Sequence, residues 1–238
     1  MVYYIKRVKI DTSTKIVNVN LRKLKLEKTN KKDKIQTIYL KYIFNENSNI
    51  EDVSKDMAIK YYSKPTDLII ERGENGKPYF SGENKIFFNG SHSKDLLSVA
   101  MSDKSVGIDV EFIKKRNFLG IAEEYFSFNE YKYLKSSRKL EIDFFTLWTL
   151  KEAYIKNFGK KIFDIKDSIE IDLEERAIYN SDDLFFATFF LDNSYLISVS
   201  CNIKNAEAYK DIVIKMNGFN LDLIFAYPKF PQIELIEI

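Results

Sequence analysis

The sequence contains few of the residues from which metal and redox sites are commonly built. Its 238 residues include one cysteine, Cys201, and one histidine, His92. An internal disulfide and any site with several cysteines are therefore excluded, as are zinc sites that need two or three histidines. Such sparing use of cysteine is typical of a reducing compartment, and we predict the cytoplasm.

Long apolar runs and flexible linkers are also missing. The longest apolar stretch, about Leu184 to Leu191, is far shorter than the ~20 residues that a membrane helix needs. The N-terminal residues alternate between charged and apolar types, which is not the pattern of a secretory signal. With 8 glycines and 4 prolines, the chain has no Gly/Ser-rich or Pro-rich linker. We therefore expect a soluble protein that does not bind a membrane.

Four common functional motifs are absent as well. The sequence contains no G-x-x-x-x-G-K-[ST], no G-x-G-x-x-G, no G-x-S-x-G and no C-x-x-C. Their absence argues against P-loop nucleotide binding, Rossmann-type dinucleotide binding, α/β-hydrolase catalysis and thioredoxin-like redox chemistry.

What remains is an ordinary globular composition with an uneven distribution of charge. Apolar residues make up 45% of the chain and charged residues 30%, and the length corresponds to one or two domains. The net charge is +2, yet residues 1–44 hold twelve Lys or Arg residues against three acidic ones. Such a segment indicates an anionic partner, namely nucleic acid, nucleotide phosphate or an acidic protein, or else a solvated basic face.

Local patterns predict helices and strands in both halves of the chain. Residues 33–44 are predicted as a helix, and Asn49 is a plausible N-cap for a second one. The periodicity predicts further helices over 121–134, with a break near 126–129, and over 141–158. Each half then continues with short β-like runs, and the halves meet near residues 102–105. The predicted fold class is α+β.

Two carboxylates on one predicted strand are the first candidate site. Asp109 and Glu111 are two residues apart in Val106–Ile113, so both side chains point to the same face. Neighbouring carboxylates repel each other unless a cation lies between them, and oxygen ligands suit Mg²⁺. The alternative is an edge strand with an exposed acidic face.

A stripe along the predicted helix over 141–158 is the second candidate. Trp148, Glu152 and Lys156 follow one another at intervals of four residues. Glu152 could supply a third carboxylate to a metal ion, and Lys156 could neutralise a phosphate one turn further on. The alternative is an ordinary Glu–Lys pair on a solvated face, with Trp148 in the core.

The third candidate is Phe88–Ser93, which follows Gly76-Lys77-Pro78. A hydroxyl, an imidazole and a lysine close to a turn could bind phosphate oxygens. A nucleophilic dyad of Ser91 and His92 is not expected, because adjacent residues of a strand point to opposite faces. The alternative for His92 is a partly buried structural ring.

These pieces occur in an order that resembles one family. G-K-P, F-N-x-S-H-S, G-I-D-V-E and W-T-x-K-E-A-x-x-K follow one another over residues 76–156, as in the 4′-phosphopantetheinyl transferase superfamily. The length is similar to that of the Sfp-type group rather than the half-length trimeric group. The resemblance implies a monomeric pseudo-dimer of two similar lobes, residues 1–104 and 105–238. Each lobe would pack helices on a small antiparallel sheet.

The resemblance also implies an activity and its participants. Members of the family transfer the 4′-phosphopantetheine arm of coenzyme A to a serine of an apo acyl or peptidyl carrier protein and release 3′,5′-ADP. The reaction depends on Mg²⁺, with Mn²⁺ as the alternative. The expected partners are thus coenzyme A and a carrier protein, without nucleic acid. Which carrier is modified, and whether acylated coenzyme A is accepted, stays open.

The matching positions imply roles for particular residues. The expected metal ligands are Asp109, Glu111 and Glu152. Phosphate oxygens would be bound by Lys156 and His92 with Ser91 beside them, and the nucleotide would lie near Lys77. Residues 126–131 resemble the family's F-S-x-x-E-Y segment, which makes Glu130 a candidate base or water-positioning group for the incoming serine. The catalytic set is therefore expected to be Glu130, Glu152 and Lys156.

Two departures from the family pattern leave other readings open. Members usually have an arginine in the first-lobe helix, but residues 35–62 contain none. A basic residue often follows the D-x-E pair, and here that residue is Phe112. One alternative is a degenerate homologue that binds coenzyme A or a carrier protein without catalysis. Another is a nucleic-acid binder that uses the basic segment, although no recognisable fold signature supports it.

Overall fold

A computed structural model of the chain describes residues 5–8, 19–22, 34–44, 47–73, 75–180, 183–203, 209–216, 221–227 and 232–237. In these ranges the chain has an α+β fold, in which helices pack on two larger sheets and a two-stranded ribbon stands beside them. The α+β part of the predicted fold is thereby confirmed. No helix in the described ranges is both long enough and apolar enough to cross a membrane. Most of the basic segment 1–44 lies outside the described residues.

The first sheet has nine strands and combines both ends of the chain. In spatial order they are β2 (Val19–Arg22), β1 (Ile5–Val8), β15 (Gln232–Glu237), β13 (Tyr209–Met216), β3 (Lys34–Phe44), β7 (Leu96–Ser102), β6 (Ile86–Ser93), β5 (Pro78–Phe80) and β4 (Ile70–Arg72). The strand β13 pairs in parallel with both β3 and β15, while the other pairs are antiparallel. Strands from 105–238 thus complete a sheet that begins in 1–104.

The prediction of a helix over residues 33–44 is wrong, because residues 34–44 form the central strand β3. Ile38 and Leu40 are fully buried, two residues apart, as the two-residue period of a strand requires. The segment is also rich in β-branched and aromatic residues, which favour strands. Pairing with β13 on one side and β7 on the other fixes the strand in the middle of the sheet.

The second sheet has four antiparallel strands and carries the D-x-E motif on its edge. In spatial order they are β14 (Leu221–Tyr227), β11 (Leu184–Leu191), β12 (Tyr195–Asn202) and β8 (Val106–Phe112). The predicted turn between β11 and β12 is present, and Asp192 and Asn193 adopt left-handed backbone conformations there. The small ribbon consists of β9 (Glu170–Asp172) and β10 (Ala177–Tyr179).

The helices largely follow the predicted boundaries. They are α1 (Ile50–Tyr62), α2 (Phe118–Tyr125), α3 (Phe128–Ser136), α4 (Leu140–Phe158) and the short α5 (Ile165–Ser168). The Asn49 side chain accepts a hydrogen bond from the Glu51 amide at 2.7 Å and caps α1 as predicted. The break between α2 and α3 is present, and Gly159 ends α4 in the left-handed conformation with φ 64°.

The helix α4 lies directly on β8, and a glycine makes this close approach possible. A methyl group at Gly107 would lie 2.1 Å from the Ala153 carbonyl oxygen and 2.5 Å from the Asn157 amide nitrogen. Both atoms belong to the backbone, so the close packing of helix and strand requires glycine here. The glycine of G-I-D-V-E thus brings the motif on α4 next to the carboxylates of β8.

Candidate functional site

A row of hydrogen-bonded polar side chains, here called the seam, joins the two sheets. It lies where alternate side chains of β6, namely Asn89, Ser91 and Ser93, face the free edge of β8. The Asn89 side-chain oxygen accepts from the Ile108 amide at 2.9 Å, and the Phe112 amide donates to Ser93 Oγ at 3.0 Å. Between them, Ser91 Oγ donates to Asp109 Oδ1 at 2.9 Å. The polar side chains of F-N-x-S-H-S therefore provide hydrogen-bond partners for polar groups of the edge strand β8.

Asp109 is the centre of this seam. Lys156 Nζ lies 2.6 Å from Asp109 Oδ1 and also donates to Ser91 Oγ at 3.0 Å. Asp109 is only 5% exposed, and its second oxygen, Oδ2, is buried without a hydrogen-bond partner in the described part of the chain. A buried carboxylate oxygen without a partner is costly, which indicates a cationic ligand at this position.

Glu111 lies on the same face of β8, as predicted, but has partners of its own. Its Oε2 atom forms an ion pair with Arg116 Nη2 at 3.2 Å and accepts from Ser93 Oγ at 3.3 Å. Burial is the main cause of a raised pKa at Glu111, and the neighbouring Asp109 charge adds to it, while Arg116 opposes both.

Glu152 approaches the seam from α4, one turn before Lys156. Its pKa is raised to about 7, first by burial and then by the negative charge of Asp109. Lys156 opposes this shift and Glu111 adds a smaller contribution to it. The mutual influence of these charges shows that the predicted residues of β8 and α4 come together.

The donor set suits a divalent cation in its chemistry, although the three carboxylates are not gathered around one point. In the described ranges, no three His, Cys, Asp or Glu side chains are arranged so that they could hold one metal ion. The open Asp109 oxygen and the raised pKa of Glu152 nevertheless fit a hard cation that oxygen atoms bind. Glu111 is the predicted ligand that departs from this arrangement, since Arg116 binds it.

His92 points away from the seam, as strand alternation predicts for a neighbour of Ser91. It is exposed and lines a pocket of about 610 Å³ between β6 and the N-terminus of α1. Arg72 and Lys94 also line this pocket, together with the acidic residues Glu51 and Asp95. The structure therefore separates two predicted phosphate-binding residues, with Ser91 at the seam and His92 in the pocket.

Sequence reasoning missed Arg72, the arginine of this pocket. Its Nη1 atom donates to the Gly76 carbonyl at 3.1 Å, and its Nη2 atom lies 3.7 Å from Glu51 Oε1. No arginine was found where the family usually has one on the helix, yet Arg72 reaches the helix end from β4. The feature of the sequence that could have pointed to Arg72 is its position four residues before the motif Gly76-Lys77-Pro78.

Lys77 is not among the residues that line this pocket. Its ammonium group donates to the backbone carbonyls of Val106 and Lys156, the latter at 3.0 Å. Burial lowers the pKa of Lys77 to about 7. The lysine of G-K-P therefore ties the start of β8 to the C-terminal turn of α4.

Glu130 lies in a buried position at the start of α3. The side chain is buried, and Oε2 accepts from the Ser127 amide at 2.8 Å in a capping box. The same oxygen pairs with Lys151 Nζ at 3.1 Å, and Oε1 accepts from the Ile171 amide at 2.9 Å. Both carboxylate oxygens are therefore buried and bound by other groups of the protein.

Comparison with known proteins agrees with this arrangement. The family model described as the 4′-phosphopantetheinyl transferase superfamily matches residues 105–211, which include β8 and α4. The chain is 38% identical over 156 residues to 4′-phosphopantetheinyl transferase psf-1 of Bacillus pumilus, covering 62% of this chain and 66% of that protein. It is 39% identical over 107 residues to the transferase gsp of Aneurinibacillus migulanus, covering 44% of each chain.

A third relative gives the same result. The chain is 32% identical over 148 residues to 4′-phosphopantetheinyl transferase ffp of Bacillus subtilis, covering 59% of this chain and 66% of the relative. The matches thus span about two thirds or less of the length of these relatives. The predicted resemblance to the 4′-phosphopantetheinyl transferase superfamily is thereby confirmed.

Proposed function

We propose that the protein transfers the 4′-phosphopantetheine arm of coenzyme A to a serine of an apo acyl or peptidyl carrier protein. The observation that carries this proposal is the seam, where Lys156 and the open oxygen of Asp109 meet beside Ser91. Such a site can bind a pyrophosphate through a cation and an ammonium group. The related proteins named as 4′-phosphopantetheinyl transferases support the same activity.

The reaction requires little covalent chemistry from the protein. The serine oxygen attacks the β-phosphorus of coenzyme A, and the bond from this phosphorus to the bridging oxygen breaks, which releases 3′,5′-ADP. Negative charge grows on the phosphoryl oxygens and on the leaving group during this step. Lys156 would neutralise part of this charge and hold the pyrophosphate in line with the incoming serine.

We propose Asp109 and Glu152 as the residues that hold the divalent cation, with Mg²⁺ preferred and Mn²⁺ as the alternative. A bound cation supplies positive charge to the pyrophosphate oxygens. With Glu130 buried, Glu152 is the remaining carboxylate of the expected catalytic set near the seam. Because a carboxylate that binds a cation is a weak base, the serine proton would leave to a water molecule rather than to Glu152.

The nucleotide end of coenzyme A is proposed to lie in the pocket at the start of α1. Arg72 and His92 line this pocket and could bind phosphate oxygens, with Lys94 at its edge. Arg72 would need to leave Glu51, and the exposed pair at 3.7 Å is weak enough to be exchanged for a phosphate. An arginine from β4 would thus replace the arginine that the family usually has on the helix.

We also propose the two-lobed pseudo-dimer with a division between residues 104 and 105, after which β13 and β15 return to the sheet of the first lobe. The element order supports it, because β3, α1 and two hairpins are followed by β8, α4 and two hairpins. In each set the first strand pairs antiparallel with the last, as β3 pairs with β7 and β8 with β12. We propose a cytoplasmic monomer whose partners are coenzyme A and the carrier protein.

The test is intact-mass spectrometry of purified apo carrier proteins after incubation with this protein, coenzyme A and Mg²⁺. A gain of roughly 340 Da that disappears with EDTA is expected for metal-assisted transfer. Asp109→Asn should abolish the gain, while Asp222→Asn, on an exposed position of β14, should not. Coenzyme A binding without transfer to any carrier would instead favour the non-catalytic homologue.

A further inference from the structure

The C-terminal end of α4 is held by side chains from other parts of the chain. The last four carbonyl groups of a helix have no partner within the helix itself. Three of them in α4 accept hydrogen bonds from outside it, namely Lys156 from Lys77 at 3.0 Å, Asn157 from Ser105 at 2.9 Å and Phe158 from Asn75 at 2.9 Å. The fourth, at Ile155, accepts from the amides of Gly159 and Lys160. Every carbonyl of this helix end therefore has a hydrogen-bond partner.

Two of these donors belong to the tight turn between β4 and β5. The Gly73 amide donates to the Lys77 carbonyl at 2.9 Å, and the Gly76 amide donates to the Gly73 carbonyl at 2.9 Å. Asn75 lies in this turn, and its backbone contacts the residue that ends α4, because a methyl group at Gly159 would lie 2.7 Å from the Asn75 carbonyl oxygen. The turn therefore packs directly on the end of α4.

The same turn connects the pocket with the seam. Arg72 directly precedes it, lines the pocket and donates from Nη1 to the Gly76 carbonyl at 3.1 Å. On the other side, Lys77 holds the backbone of Lys156, whose ammonium group pairs with Asp109 in the seam. The nucleotide and the pyrophosphate are parts of one coenzyme molecule, so the two sites have to keep a fixed separation if the phosphoryl group is to be aligned for attack.

We propose that Asn75 is a positioning residue for Lys156, which it holds in place by capping α4 together with Ser105 and Lys77. The proposal rests on the proposed function in one respect, namely that Lys156 binds phosphate oxygens in the seam. Lys156 lies in the last turn of α4, and helix ends fray where they are not held. Each time that last turn unwinds, the ammonium group leaves its place and the phosphoryl oxygens lose its charge.

The first experiment is steady-state kinetics of carrier modification with Asn75→Leu, which keeps the approximate size of the side chain and removes its donor. At saturating coenzyme A we expect kcat to fall about threefold to tenfold, which is the factor that one hydrogen bond contributes to an equilibrium. The KM for coenzyme A should change by less than about twofold, because the charge that Lys156 neutralises is greatest in the transition state. Asn75→Gln, which keeps an amide donor, should retain most of the rate.

Two variants serve as comparisons. Ser105→Ala removes the partner of the Asn157 carbonyl, so kcat should fall in the same way although residue 105 lies outside the turn. Asn84→Ala, at an exposed asparagine between β5 and β6, is the matched control and should keep the wild-type kcat. Should Asn75→Leu fail to fold by circular dichroism, Ser105→Ala decides the outcome.

Competitive acetylation of lysines, followed by peptide mass spectrometry, reports the position of Lys156 without any substrate. In the wild type its ammonium group is paired in the seam, and we expect slow labelling. Loss of either cap should raise the labelling rate of Lys156 about threefold or more. The rates at the exposed Lys132 and the buried Lys151 should not change. A variant that merely loosens the whole protein would expose Lys151 as well.

Equal Lys156 labelling and equal kcat in Asn75→Leu and the wild type would refute the proposal. So would a loss confined to the KM for coenzyme A, which would make Asn75 a direct contact of the coenzyme. The transferase activity is judged separately. Faster labelling of Lys156 in the variants, without phosphopantetheine transfer by the wild type, would support the role of Asn75 and contradict the proposed function. Transfer by the wild type, with labelling and kcat unchanged in the variants, would contradict only the role of Asn75.

Discussion

The contact between α4 and β8 is the feature of the fold on which the site most depends, and Gly107→Ala tests it directly. The added methyl group would lie 2.1 Å from the Ala153 carbonyl oxygen, whereas ordinary contacts begin at 3.4 Å. Both partners are backbone, so no side-chain rotation relieves the overlap. The helix must retreat by about 1 Å or more, or β8 must bend by a similar amount.

The magnitude follows from two opposing contributions. Replacing glycine in an extended strand reduces the entropy of the unfolded chain and stabilises the protein by ~0.4–1 kcal/mol. Overpacking costs ~1–3 kcal/mol and more where the backbone must move. We expect Gly107→Ala to lower the free energy of unfolding by about 2 kcal/mol or more. The Lys156–Asp109 pair would also open, and a displacement of 1 Å near reacting groups costs on the order of 100-fold in rate.

Urea unfolding followed by the fluorescence of the single tryptophan, Trp148, measures the stability change. The carrier-modification assay measures the rate. Gly73→Ala is the matched control, because its methyl group would meet only the Lys77 carbonyl oxygen at 3.8 Å. This control should be as stable as wild type or slightly more stable. If Gly107→Ala matches the control in both stability and rate, the close packing of α4 on β8 is refuted.

Three further predictions concern charged groups. Without a cation, in EDTA, the pKa of Glu152 is raised from 4.5 to about 7, so the folded protein disfavours the ionised form. The stability of the wild type relative to Glu152→Gln should therefore fall as the pH rises from about 4.5 to 7. Urea unfolding at several pH values would measure this fall. Glu130→Gln should cost ~3–5 kcal/mol because Lys151 is left buried without its counter-charge, and Glu130→Gln/Lys151→Met should recover part of this loss in the same assay. Arg72→Ala should weaken coenzyme A binding by roughly tenfold in calorimetry. The control is Lys60→Ala on α1, whose side chain does not line the pocket and which should leave the affinity unchanged. Equal affinities in the wild type and both variants would exclude Arg72 from the nucleotide site.

Features that depend on local sequence were the most predictable. The Asn49 cap, the Gly159 C-cap and the break before α3 each rest on residue preferences within a few positions. The placement of Asp109 and Glu111 on one face follows from the two-residue period of a strand alone. The sequence therefore predicted the elements that present the site, although it could not give the partners of each side chain.

Features that depend on distant parts of the chain were not predictable. The segment 34–44 is a strand because β13, far along the chain, and β7 pair with it on either side. Glu130 and Lys77 resemble reactive groups in sequence, but whether a charged side chain is buried depends on tertiary packing. The same holds for Arg116, which follows Glu111 in an irregular segment where no period fixes its direction.

The motif lysines Lys77, Lys151 and Lys156 have different contacts, and two of them hold the helix that carries the third. Lys77 donates to the carbonyl of Lys156 at the end of α4, and Lys151 of α4 donates to the carbonyls of Ile165 and Ile169, so two buried ammonium groups tie α4 to its surroundings. Among the motif lysines, Lys156 is the one whose ammonium group reaches a carboxylate of the seam, at Asp109. These contacts lie on backbone carbonyls and do not involve Asp109 or Lys156 Nζ. Under the proposed function, Lys156 would exchange Asp109 for a phosphate oxygen while these contacts hold α4 on β8.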